Sequence, residues 1–256
     1  MILALDMGNT NIVAGCLGED ERIYFTERFA TDLNKTELEY AVVIKTILEL
    51  HDINRDEIEG AIIASVVPPL THIIKSALRK LLKCEPLVIG AGLKTGLNIH
   101  LDDPSTLGAD LVVDSVAAMN IYGSPATVID MGTATTMTVI DKEDTYIGGA
   151  IFPGLNVSVE ALAAGTSLLP RVSLGAPKKQ IASNTMDAIK SGIIYGEASR
   201  IDGMIDRFEK ELGYSTKVIA TGGLASVIVP HCSHEIITDP DLMLKGLKMI
   251  YDKNRQ

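Results

Sequence analysis

Apolar positions along this chain follow two patterns, short unbroken runs and longer stretches at helical spacing. The first run, Ile2 to Leu5, ends in a polar turn, Asp6-Met7-Gly8-Asn9-Thr10, and resumes at Ile12 to Leu17. This predicts a strand, a turn and a second strand. Gly18-Glu19-Asp20 turns the chain again, and Arg22 to Ala30 alternates loosely as a third strand. A helix is predicted over Thr36 to Leu50, with Leu38, Val42, Ile47 and Leu50 on its inner stripe. The charge-rich segment Asp52 to Glu59 reads as a solvated linker. Ala61 to Val67 follows as a buried strand stopped by Pro68-Pro69, then a helix over Leu70 to Leu82 and a short strand over Leu87 to Ile89.

The same succession returns half a chain later. Val128-Ile129 leads into Asp130-Met131-Gly132-Thr133-Ala134-Thr135-Thr136, with strands predicted over Met137 to Ile140 and Thr145 to Ile151. An Asp-Met-Gly turn on the same hairpin twice reads as an internal repeat. The fold class is therefore α/β, with two duplicated domains at 1–117 and 118–256. Two long helices complete the pattern. One runs from Pro104 to Tyr122, with Pro in its first turn and Leu107, Leu111, Ser115, Ala118 and Tyr122 inward. The other runs from an Asn184 cap to Leu212 and stops at Gly213. Its stripe is Ile189, Ile193, Ile201, Ile205, Phe208 and Leu212. Gly192, Gly196 and Gly203 inside it each cost about 1 kcal/mol relative to Ala, which implies close approach by another backbone, in the same domain or a second copy. Lys217 to Thr221 is then a strand and Asp241 to Tyr251 a last helix.

Composition narrows the function. Across 256 residues the formal charge is −10, against a nucleic-acid surface, which needs clustered Lys and Arg. Small phosphate ligands remain open, since backbone N–H groups and a metal can hold them at any net charge. No apolar run approaches the roughly 20 residues that span a bilayer, and the first residues lack a signal-peptide pattern. Cys16, Cys84 and Cys232 are too few and too scattered for a disulfide framework. The expectation is a cytoplasmic protein, with no membrane and no nucleic-acid partner.

The two turns carry the candidate chemistry. Gly8 lets phosphate oxygens approach the backbone, Asn9 and Thr10 add donors, and Asp6 can hold Mg²⁺ through water. The second turn repeats this with Thr133, Thr135 and Thr136. Each also reads as an ordinary Asp-Gly hairpin or Thr-rich strand. Gly222-Gly223 after a buried strand can lie against an adenosine, and neither a P-loop nor a dinucleotide fingerprint is present. Asp110 and Asp114, four residues apart on the Pro104 helix, are either a solvated acidic face or a general base for a hydroxyl. His231-Cys232-Ser233-His234 reads as a loop, and Ser65 has no evident His–acid partners for nucleophilic work.

The ordered set Asp6-Met-Gly-Asn-Thr, Ser65-Val-Val-Pro, Gly108-Ala-Asp110, Asp130-Met-Gly-Thr-Ala-Thr, Gly148-Gly-Ala-Ile-Phe-Pro-Gly154, Asn184-Thr185 and Thr221-Gly-Gly resembles the type III pantothenate kinases. The resemblance covers essentially the whole chain. It implies ribonuclease H-like domains around a nucleotide cleft, a homodimer, and phosphorylation of pantothenate by ATP at the first step of coenzyme A synthesis. It further implies a phosphate loop over Asp6, Met7, Gly8, Asn9, Thr10, Asn11, Ile12 and Val13, and an ATP contact at Thr133. Asp110 becomes the general base, Gly108, Ala109, Leu111 and Thr185 join it around the substrate, and Asp130 helps bind potassium or ammonium.

Two positions depart from that pattern. Many members have Arg after Gly-Ala-Asp, where this chain has Leu111, and Tyr shortly before, at the place of Leu101. Losing an Arg fork removes a natural partner for the pantothenate carboxylate. Leu111 on the inner stripe reads as a core residue, hence a subgroup variation. Three alternatives share the scaffold: a nonenzymatic regulator, a conformationally cycling ATPase, and a kinase for another small hydroxyl metabolite such as a sugar or acetate. Retained Asp6 and Asp110 speak against the first, and the compact chain against the second.

Overall fold

In a computed structural model that describes residues 1–20 and 22–255, the chain forms two α/β units, each around its own mixed sheet. The first unit opens with β1 (Ile2–Met7), β2 (Asn11–Leu17) and β3 (Ile23–Ala30), an antiparallel meander. Helix α1 (Glu37–Leu50) follows; Thr36 accepts from the Glu39 N–H while Glu39 reaches back to the Thr36 N–H, a reciprocal cap that fixes its start. Strand β4 (Gly60–Ser65) then returns parallel to β1. Helix α2 (Pro68–Leu82) begins on its proline pair, and β5 (Leu87–Val88) closes a sheet of order β3-β2-β1-β4-β5. β6 (Asn98–Ile99) belongs to the second sheet, and α3 (Ala109–Tyr122) passes from the first unit to the second at Ala117 and Ala118.

The second unit repeats the first strand for strand. β7 (Ala126–Met131), β8 (Ala134–Ile140) and β9 (Thr145–Pro153) form the meander. After α4 (Leu155–Gly165) and α5 (Thr185–Leu212), β10 (Lys217–Thr221) lies parallel to β7, and β11 (Ile237–Thr238) lies parallel to β10 beyond the short α6 (Ala225–Ile228). The order β9-β8-β7-β10-β11 copies β3-β2-β1-β4-β5, with β6 added at the β9 edge. The match reaches individual residues. β1 and β7 bury the same positions in the same sequence, as do β2 and β8, and both meanders shift register at the far end of their second strand. The repeat expected from two Asp-Met-Gly turns is thus a duplicated architecture.

Helix α7 (Leu242–Asn254) packs back on β1 and β4, so the chain from Asp241 onward belongs with the first unit, whereas sequence order assigned it to the second. Gly246 makes this possible: a Cβ there would lie 2.4 Å from the Val113 carbonyl oxygen. Among the described residues no helix is long and apolar enough to cross a membrane.

Several predicted elements shift. On α1 the core side is Tyr40, Ala41, Ile44, Ile47 and Leu48, while Leu38, Val42 and Leu50 are exposed. Only Ile47 of the predicted stripe faces inward. Pro104 starts a short 3-10 turn (Pro104–Thr106) capped by Asp103 rather than the long helix. Leu107 then adopts an extended backbone that forces a break before α3. The Asp52 to Glu59 segment is no simple solvated linker, because Ile53 and Ile58 are buried on either side of an Asn54-capped turn. Asp114 is 2% exposed, so a solvated acidic face is ruled out for it. Helix α5 keeps both predicted ends, with Asn184 accepting from Asp187 N–H and Gly213 at φ 77°.

Candidate active site

In the first unit the candidate groups gather at the C-terminal edge of its sheet. Asp6 is half-buried at the end of β1, and the turn that follows is closed by two bonds. Gly8 N–H donates to Asn11 O at 3.0 Å, and the Thr31 hydroxyl donates to Gly8 O at 2.7 Å. Glycine eases the turn at position 8, where a Cβ would lie 3.2 Å from the Asn11 oxygen, tighter than most such contacts. Asn9 and Thr10 project into solvent, whereas Met7 and Ile12 are fully buried. Of the stretch from Asp6 to Val13, those two can meet a phosphate only through their main chain.

Val66 carries the edge across to α3. Its N–H donates to Met7 O at 3.1 Å, and its side chain lies 3.8 Å from where a Gly108 Cβ would stand. Ser65, Val66, Ile89, Gly90, Thr106, Leu107, Gly108, Ala109 and Val112 line a cavity of about 430 Å³ there. Asp110 opens α3 beside it. A Cβ on Gly108 would sit 2.4 Å from the Asp110 Oδ1, so Gly-Ala-Asp is a spacing in which glycine makes room for the carboxylate. Leu111 N–H donates to that oxygen at 2.9 Å. Burial pushes the Asp110 carboxyl above the ordinary aspartate range, and the backbone donors only partly oppose it. A carboxylate desolvated in this way is a stronger base toward a hydroxyl. Leu111 itself is half-buried, next to fully buried Val113, Val116 and Ala117, and so is not the core residue the helical stripe suggested.

In the second unit the same logic recurs on a tighter turn. Gly132 N–H donates to Ala134 O at 3.0 Å, and Gly154 N–H donates to Thr133 O at 3.2 Å, leaving the Thr133 side chain exposed. Asp130 sits at the end of β7 directly opposite Thr136 on β8. The Thr136 hydroxyl oxygen is buried without a hydrogen-bond partner. Gly222, at φ 87°, packs so closely that a Cβ would lie 2.4 Å from Asp130 Oδ1 and 2.6 Å from Met131 N. Glycine here serves strand-end packing, and with exposed Gly223 it leads into α6. Thr185 is the first, exposed residue of α5. Leu101 lies on the second unit, against the β9 backbone at Gly148.

Some groups do other work. Asp202 accepts the Ser233 and His234 N–H groups, and His234 pairs with Asp206 at 3.0 Å, so the His-Cys-Ser-His segment is tied to α5. Among the described residues no three His, Cys, Asp or Glu side chains converge as a metal cage. Sequence reasoning missed Thr31 and buried Glu197, and gave Val66 of the Ser65-Val-Val-Pro motif no role of its own. Thr31 acts through a hydroxyl bond to the Gly8 carbonyl that leaves no mark in a motif, and Glu197 is a charge on an apolar stripe.

A model of the type III pantothenate kinase family matches residues 2–207. A type III pantothenate kinase of Halalkalibacterium halodurans is 43% identical over 254 residues, covering 99% of this chain and 100% of the relative. A solved protein from Campylobacter jejuni, described as a Baf family transcriptional activator, aligns at TM-score 0.61 and 21% identity, over 99% of this chain and 98% of that one. The activator of 2-hydroxyisocaproyl-CoA dehydratase from Clostridium difficile, solved with bound ADPNP, aligns at TM-score 0.55 and 15% identity, over 99% and 94%. These two structures are similar in fold, each to nearly its full length. With the family model and the full-length relative in agreement, the chain belongs to the type III pantothenate kinase family.

Proposed function

We propose that Asp110 is the general base for the ATP-dependent phosphorylation of pantothenate, the activity that membership of this family gives the chain. The observation that carries the proposal is the desolvated Asp110 carboxylate beside a cavity at the sheet edge that also holds Asp6. Asp110 takes the proton of the substrate hydroxyl as its oxygen bonds to the γ-phosphorus of ATP. The bond to the bridging oxygen breaks, and ADP leaves with that electron pair. Transfer of this kind depends on alignment and charge neutralisation more than on covalent catalysis.

The turn from Asp6 to Val13 and the exposed Thr133 are the phosphate contacts in this reading, with Gly222 and Gly223 toward the adenosine. Asp6 would hold a magnesium ion through water, since its half-buried carboxylate stands beside exposed Asn9 and Thr10 and magnesium keeps much of its hydration shell. Asp130 fits a potassium or ammonium ion, because the buried, unpartnered Thr136 oxygen opposite it offers a second hard donor. Such cations neutralise charge on the transferring phosphoryl group. Gly108, Ala109, Leu111 and Thr185 are the substrate contacts. A homodimer is supported by Gly192, Gly196 and Gly203, where an added Cβ meets nothing within 4 Å in this chain. A reaction that draws on ATP suits a cytoplasmic enzyme.

The test is ADP release from ATP, Mg²⁺ and pantothenate, with and without potassium or ammonium, for the native chain and Asp110→Asn. Pantothenate-dependent turnover that needs the cation and falls by at least about 100-fold in the variant is expected. Native turnover that persists in Asp110→Asn would remove the base assignment.

A further inference from the structure

Helix α5 carries a charge where its core face should be apolar. Glu197 is 6% exposed and sits at the spacing of Ile194, Ala198 and Ile201, all core positions. An unpaired carboxylate there would cost several kcal/mol of desolvation, and both of its oxygens are engaged. The buried Thr135 hydroxyl donates to Oε1 at 2.9 Å, and the Arg200 guanidinium, one turn further along α5, pairs with Oε2. Arg200 also donates to Pro153 O at 3.3 Å and lies over the Phe152 ring, 4.5 Å from its centroid.

The far ends of this network share one location. Thr135 faces Phe152 across the β8–β9 ladder, and Ala134 faces Pro153. Ala134 and Thr135 open β8 directly after the turn holding Thr133, and Phe152 and Pro153 end β9 beside them. Gly154, next to Pro153, donates to the Thr133 carbonyl. One buried carboxylate therefore ties both strands under the turn to α5, the helix whose first residue is Thr185. Apolar side chains of similar volume would join helix to sheet at least as stably. The ionic arrangement adds direction, since the Thr135 hydroxyl and the guanidinium fork each have one orientation that satisfies Glu197.

We infer that Glu197, through Thr135 and Arg200, is a positioning residue that sets the Thr133 turn for ATP. The inference rests on the reading of Thr133 as an ATP contact. Its test compares Thr135→Val, Thr135→Ser, Glu197→Gln and Thr133→Ala in the full-length enzyme, by KM for ATP, KM for pantothenate, kcat and melting temperature. Thr135→Val is close to isosteric and keeps the fold accessible if Glu197→Gln does not. Thr135→Val and Glu197→Gln are expected to raise the KM for ATP by about tenfold while pantothenate KM stays within about twofold. Thr135→Ser, which keeps the hydroxyl, restores native ATP affinity. A purely structural role would lower melting temperature in Thr135→Val without moving the KM for ATP. That result, with Thr133→Ala impaired, overturns the inference. If Thr133→Ala itself leaves the KM for ATP unchanged, the reading of the turn falls and the inference with it.

Discussion

Gly154→Ala offers a direct test of whether the second turn must stay where it is. Gly154 has φ −67°, so alanine meets no backbone strain, and the effect comes from space alone. The new Cβ would stand 2.3 Å from the Thr133 carbonyl oxygen and 2.7 Å from that of Gly132. Cβ atoms keep roughly 3.0 Å from such neighbours, so the Thr133 carbonyl must retreat by about 0.7 Å. Both obstacles are backbone, which cannot swing aside as a side chain can. Overpacking of this kind costs about 1–3 kcal/mol. At about 2–4 °C per kcal/mol for a chain of this length, the melting temperature should fall by about 2–12 °C. A displacement approaching 1 Å at a positioning group can lower kcat/KM by up to about 100-fold, and the loss should appear chiefly as a raised KM for ATP. Steady-state kinetics at varied ATP, with thermal melting alongside, separate the two effects. Gly165→Ala is the control, since a Cβ there meets nothing within 4 Å. A folded Gly154→Ala enzyme with native KM for ATP and native kcat would refute the argument that this turn positions ATP.

Three further outcomes follow from the same geometry. Because burial raises the Asp110 carboxyl, the rising limb of the pH–rate profile should lie above the ordinary aspartate range. The stability linked to that raised pKa is fully present below the unfolded value and lost as pH rises through the folded one. Asp110→Asn should therefore melt above the native enzyme at neutral pH, with the gap closing in acid; a gap that widens in acid would contradict the burial. Gly192→Ala and Gly196→Ala should each gain up to about 1 kcal/mol of helix stability in a free monomer. If a second copy packs on that face they should instead weaken the dimer, as sedimentation would record. On α1, Ile47→Ala should cost about 2–5 kcal/mol, and Leu38→Ala, at 59% exposure, less than about 0.5 kcal/mol by denaturant titration.

Features governed by local chemistry were legible in the sequence. The Asn184 cap and Gly213 stop of α5 depend on a few neighbouring residues, and both stand where they were read. The apolar run of β1 and the Val128-Ile129 pair of β7, each stopped by a polar turn, read as strands, and the repeated Asp-Met-Gly turn marked a duplication that extends to register and burial. The motifs also carried the family. Tertiary packing decided the rest. On α1, Leu38 and Val42 compete with Tyr40 and Ile44 for the inner face, and periodicity cannot choose until a sheet is present to pack against. The break before α3 depends on an extended Leu107 backbone, which no propensity of Pro104 foretells. Glu197 and Asp114 look like solvent residues because a charge is costly to bury. Only the folded chain supplies the Thr135 hydroxyl and the Arg200 guanidinium that make Glu197's burial possible. The return of α7 to the first unit hinges on Gly246 meeting Val113, residues far apart in the chain. A sequence fixes what each residue can tolerate within a few neighbours; which distant groups satisfy a buried charge or fill a glycine's space is settled only when the sheets bring them together.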